Sequence, residues 1–136
     1  MDLTYAQLSV TGPVREKNED SVGFWQSGTP ELVRSVGVAA VIADGVGGTG
    51  RGEEASQLAV KTTLEILKPA ESEIEPSDLL RIVFNNSNRN VYDATMHGRD
   101  KTRMATTLTV SVFRHDEVSI GSHVADDPGL WVALGH

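Results

Sequence analysis

The chain has 136 residues, no cysteine, and twelve Lys and Arg against nineteen Asp and Glu, a net charge of −7. That length suits one domain with a real core and not two, and 39% apolar content argues against wholesale disorder. The acidic balance disfavours a nucleic-acid partner and favours cations or basic surfaces, and without cysteine there is no disulfide, thiolate zinc site or Cys nucleophile.

In chain order, residues 4–11 alternate and predict a strand, and 12–20 a polar turn. Residues 21–27 predict a short strand centred on Val22 and Phe24. Gly28 and Pro30 predict a hairpin loop over 28–35. Residues 36–43 are apolar throughout and β-branched in part, which predicts a strand buried on both faces. A glycine-rich turn follows, Asp44-Gly45-Val46-Gly47-Gly48-Thr49-Gly50. Over 52–68, Ala55, Leu58, Ala59, Thr62 and Ile66 recur at helical steps, with Glu53 and Glu54 suited to the positive N-terminal end and Pro69 as the stop. Pro76-Ser77-Asp78 starts a second helix reaching His97, with Gly98 as its stop. Its buried face is Leu79, Leu80, Val83, Phe84, Val91 and Tyr92.

Residues 104–113 predict the clearest strand, with Leu108, Val110 and Val112 on one face and Thr107, Thr109 and Ser111 on the other. His115-Asp116 reads as a hairpin turn, 118–124 as its antiparallel return, and 130–134 as a further strand. Strands on either side of a helical pair imply an α+β fold. The longest apolar run, eight residues, is far short of a membrane span. With no basic–apolar leader at the start, a cytoplasmic location is expected.

Two segments carry chemistry. In Ala43-Asp44-Gly45-Val46-Gly47-Gly48 a carboxylate ends an apolar strand, and glycines let the backbone turn at once and approach a ligand. Carboxylate and carbonyl oxygens suit a hard cation; a plain Asp-Gly turn is the alternative, and the residues alone leave both open. The glycine run lacks a Lys-Ser/Thr ending and the dinucleotide spacing, so a nucleotide cradle is disfavoured. In Arg15-Glu16-Lys17-Asn18-Glu19-Asp20 a guanidinium suited to bidentate phosphate recognition precedes two adjacent acids.

Together, Arg15-x-x-Asn18-Glu19-Asp20 and Ala43-Asp44-Gly45-x-Gly47-Gly48 resemble the metal-dependent serine/threonine protein phosphatases of the 2C type. Ala55-Ser56 with Ala59-Val60 matches the start of that family's first long helix. Met104-Ala105-Thr106-Thr107-Leu108-Thr109-Val110 is similar to its Gly-Thr-Thr strand, with Ala105 for glycine. The resemblance spans nearly the whole chain. It implies an α+β domain: part of a four-layer α-β-β-α sandwich, with mainly antiparallel sheets and two long helices packed on one face. It also implies hydrolysis of phosphoserine and phosphothreonine in proteins by a metal-bridged hydroxide, with Mn2+ or Mg2+ as cofactor.

Carried over, Asp44 matches the bridging carboxylate and Gly45 the glycine whose carbonyl binds metal. Glu19 and Asp20 match the acidic pair at the metals, and Arg15 the phosphate-binding arginine. Asp126 matches the aspartate of a third metal, although Ala125-Asp126-Asp127-Pro128 stands where the family has Gly-Asp-Ser-Arg and Ser122 resembles an insertion. Residues 1–136 are thus expected to form one shortened domain lacking the family's later aspartates. A phosphorylated protein is the expected partner, and an uncovered sheet surface predicts self-association. An inactive binding module or a nonfunctional fragment is the alternative.

Overall fold

A computed structural model of the chain describes residues 3–46, 50–68, 74–98 and 102–125. The predicted strand at 130–134 and Asp126 lie outside the described residues. The elements are β1 (Asp20–Gln26), α1 (Pro30–Ser35), β2 (Val38–Asp44), α2 (Gly52–Leu67), α3 (Pro76–His97), β3 (Thr106–Arg114) and β4 (Glu117–Ala125). The strands form one antiparallel sheet in the order β1-β2-β3-β4. The α2–α3 pair spans the connection between β2 and β3 and packs on one face of the sheet. The fold is therefore α+β, as expected. Of the expected four layers, the described residues form one helical layer and one sheet.

Alternation along the strands decides what each face buries. In β3 every second residue from Thr106 to Arg114 is buried, so Leu108, Val110 and Val112 meet the helices. Helix α2 presents Ala55, Ala59, Val60 and Leu67, and α3 presents Leu79, Leu80, Val83, Phe84 and Val91, to one continuous core. Each large aliphatic or aromatic side chain so buried contributes about 1.5–3 kcal/mol. Among the described residues no helix is long and apolar enough to cross a membrane.

The structure departs from the sequence-based expectations in three places. Residues 4–11 make no strand pairing; Tyr5 instead stacks on Phe24 with ring centroids 3.5 Å apart. Residues 28–35 hold α1 rather than only a loop. Thr29 caps it, its Oγ1 accepting from the Leu32 N–H at 3.2 Å, and Pro30 occupies the first turn. Finally, β2 is not buried on both faces along its length: Ile42 is 57% exposed, because its side faces away from the helices.

The termini of α3 and of the β3–β4 hairpin have clear local causes. Gly98 ends α3 in an extended conformation, not the left-handed one. Its lack of a side chain leaves room for Arg51, whose Nη1 would lie 2.6 Å from an added Cβ. His115 and Asp116 both have positive φ, 50° and 63°, the backbone of a two-residue type I′ turn.

Candidate active site

The open face of the sheet, opposite the helices, carries the predicted acids. Asp20 opens β1 and Asp44 closes β2, and the two are direct cross-strand partners. Cross-strand partners share a face, so the two carboxyls lie side by side there. The Asp20 carboxyl consequently titrates above its ordinary value of 3.8. Partial loss of water is the first cause, followed by repulsion from Asp44, with Arg15 opposing them. Asp20 is otherwise exposed, so water screens these effects and their energy is small.

The backbone around the pair is fixed from several directions. Asn18 Oδ1 accepts from the Asp20 N–H at 3.0 Å, and Asn18 Nδ2 donates to Ser9 Oγ at 2.7 Å. Thr107 Oγ1, from β3, accepts from the Asp44 N–H at 3.2 Å and donates to the Asp44 carbonyl at 3.4 Å. One hydroxyl thus serves both main-chain groups of the residue that ends β2. The next residue, Gly45, donates its N–H to the Glu19 carbonyl at 3.0 Å, and Val46 donates to the Ala105 carbonyl at 2.9 Å.

Gly45 and Gly52 have a role in packing. A Cβ on Gly45 would lie 2.7 Å from the Glu19 carbonyl oxygen and closer still to the carbonyl of Gly52. A Cβ on Gly52 would lie 2.9 Å from both Glu19 Oε1 and the Val46 carbonyl oxygen. Three backbone segments, at Glu19, Gly45 and the first residue of α2, therefore cross where only glycine fits. Gly45 and Gly52 together let the helix start pack against the strand ends.

Arg15 and Glu19 form an ion pair, Nη1 to Oε2 at 3.0 Å, with Arg15 71% and Glu19 18% exposed. Glu19 Oε1 lies against Gly52 at the start of α2. Its carboxylate is thus held beside the helix start, where the helix dipole favours negative charge. Arg15, Asp20 and Asp44 line one cleft of about 370 Å³. Of the predicted site residues, the structure brings Asp20 and Asp44 into contact, sets Gly45 beside them and places Arg15 at the mouth, paired with Glu19.

Among the described residues no three acids or histidines converge as a ready-made cation cage. What the structure offers is a two-carboxylate donor set. Two carboxyls placed together on one face repel each other when ionised, and a divalent cation between them turns that repulsion into ligation by the oxygen donors a hard cation prefers. The Asp20–Asp44 pair therefore fits a hard cation.

Residues 15–128 match the family model described as Protein phosphatase 2C. The chain belongs to the protein phosphatase 2C family. A search of curated proteins returns no match. The matched span of this phosphatase-family chain runs from Arg15, at the cleft mouth, through every described element. The Thr107 clamp on Asp44 is the feature that residue reading missed. Its signal was the threonine pair Thr106-Thr107, read above as a motif of the resembled family and, for Thr107, as part of a polar strand face, with no contact to Asp44 assigned.

Proposed function

We propose that this phosphatase-family chain acts on phosphoserine and phosphothreonine in proteins, with Asp20 and Asp44 as the principal holders of Mn2+ or Mg2+ and Arg15 as the phosphate-binding residue. The observation that carries this reading is the pair of cross-strand carboxyls in one cleft with an exposed guanidinium. A divalent ion held there would supply positive charge to polarise the phosphoryl oxygens and acidify attacking water.

The chain's own residues divide the remaining work. Thr107 and the Gly45–Glu19 bond hold Asp44 at a fixed depth on the open face. Arg15 must leave Glu19 to meet a phosphate, and the exchange is cheap, because an exposed ion pair contributes only about 0–1 kcal/mol. Substrate phosphate carries more charge than the Glu19 carboxylate, so the guanidinium gains by the exchange. Asp126 is proposed as a further metal ligand on the family match alone, and a cytoplasmic site of action accords with the cysteine-free composition.

The test is hydrolysis of a phosphothreonine peptide with and without Mn2+, beside Mn2+ titration calorimetry, for the wild type and Asp44→Asn. Metal-dependent turnover that Asp44→Asn abolishes, with Mn2+ binding weakened at least tenfold, is the expected result. Peptide binding through Arg15 without turnover would replace the enzyme by a phosphoprotein-binding module. Mn2+ binding unaffected by Asp44→Asn would overturn the site.

A further inference from the structure

The outer edge of β4 has the properties of a dimerisation strand. It is nine residues long and pairs with β3 in unbroken register, with no bulge. It contains no Lys, Arg or Pro, and its one acid, Glu117, stands at its end. Edge strands are ordinarily blunted by such residues or by bulges. The opposite edge strand, β1, is shorter, seven residues, and carries Tyr5 stacked on its Phe24.

The hairpin fixes which groups the edge presents. A two-residue turn at His115-Asp116 makes Arg114 and Glu117 the closing hydrogen-bonded pair. Alternate residues from Glu117 therefore bond to β3. The N–H and C=O groups of Val118, Ile120, Ser122 and Val124 point outward, and no described residue bonds to them. The side chains of these four lie on the open face of the sheet, where Ile120 is 44% exposed and Val118 and Val124 are similarly bare.

We propose that β4 pairs with β4 of a second copy of this chain, antiparallel about a two-fold axis at Gly121. The strand is self-complementary about that point. Val118 falls opposite Val124 of the partner, Ile120 opposite Ser122, and Glu117 opposite Ala125, so no like charges face each other. The outward groups are also in phase: the 118–124 and 120–122 pairs, each occurring twice, give eight backbone hydrogen bonds.

Gly121 itself falls at the close, non-hydrogen-bonded pair on the axis, where Cα atoms approach to about 4.5 Å. On its helix side Phe84 already fills the space, Cζ lying 2.8 Å from where a Cβ would be. A side chain there would crowd both the core and the axis, and glycine avoids both. Pairing turns two four-stranded sheets into one of eight, with the apolar strips of Val118, Ile120 and Val124 joined across the seam. Each copy carries −7, so repulsion opposes association and salt screens it.

The test is sedimentation equilibrium of the full chain in about 0.5 M salt, where the Debye length falls to about 4 Å. Amide exchange is read alongside at two protein concentrations. A dimer is expected, with amides 118, 120, 122 and 124 more protected at the higher concentration. Ile120→Pro removes an outward N–H without touching the β3 ladder, and should raise the dimer dissociation constant at least tenfold. Ile120→Lys should do the same, with circular dichroism confirming that each variant folds. Ile42→Lys, on the same face but away from the edge, should leave the dimer intact. A monomeric wild type, protection independent of concentration (the mark of residues 126–136 pairing with the edge instead), or dissociation by Ile42→Lys but not Ile120→Pro would each overturn the proposal.

Discussion

Replacing Gly45 by alanine probes the junction that positions the site. The added methyl would stand 2.7 Å from the Glu19 carbonyl oxygen and nearer to the Gly52 carbonyl, and every one of those atoms is backbone. Ordinary contact requires about 3.4–4 Å, so the start of α2 must retreat by about 1 Å, and no side-chain rotation can relieve it. Overpacking of this kind costs about 1–3 kcal/mol, and losing the Gly45–Glu19 hydrogen bond adds about 0.5–1.5 kcal/mol. The sum, roughly 2–4 kcal/mol, corresponds to a fall in Tm of roughly 6–20 °C for a domain of this length. Thermal melting by circular dichroism measures it, with Gly12→Ala as control, since an added Cβ at Gly12 meets nothing within 4 Å. If Gly45→Ala melts within about 2 °C of the wild type while Gly12→Ala does too, the three-backbone crossing is not what holds the helix against the strand ends.

Asp20 titrates above 3.8 in the folded state, so its protonated form favours folding. That stabilisation is complete below 3.8 and is lost as pH rises through the raised value. Asp20→Asn should therefore raise the unfolding free energy of the metal-free protein at pH 7, measured by urea denaturation, by at most about 0.5 kcal/mol after solvent screening, while weakening Mn2+ binding; a lower unfolding free energy would contradict the carboxyl repulsion. Thr107→Val should cost about 1 kcal/mol through the lost clamp and speed amide exchange at Asp44, and Thr107→Ser should restore both. Phe84→Ala, at the centre of the α3–β4 packing, should cost about 3–5 kcal/mol in urea unfolding.

Long-range periodicity made α2 and α3 legible, because sixteen- and twenty-two-residue helices repeat their buried stripe several times over. The β3–β4 hairpin was legible for a similar reason: nine alternating residues on each side and a turn that tolerates positive φ at His115 and Asp116. Helix α1 was obscured by its six-residue length, although Thr29-Pro30-Glu31 is a sound start signal. The face assignment of β2 failed at Ile42 because an apolar run does not say which neighbours cover it. At the site, the acids Asp20 and Asp44 were readable, but the direction of each was not. Alternation sends Asp20 to the open face, whereas Glu19 turns to Arg15 and the start of α2, which only the register of β1 against β2 reveals.

The linear strand order has a kinetic consequence. Asp20 and Asp44 are joined by a short excursion through α1, whereas pairing β2 with β3 must first enclose both long helices. The enclosed length differs roughly fivefold, worth only about 1.5 kcal/mol of closure entropy. The acids can therefore meet on a hairpin-like unit before the sheet is complete, and the late step is delivery of Thr107 to lock the end of β2.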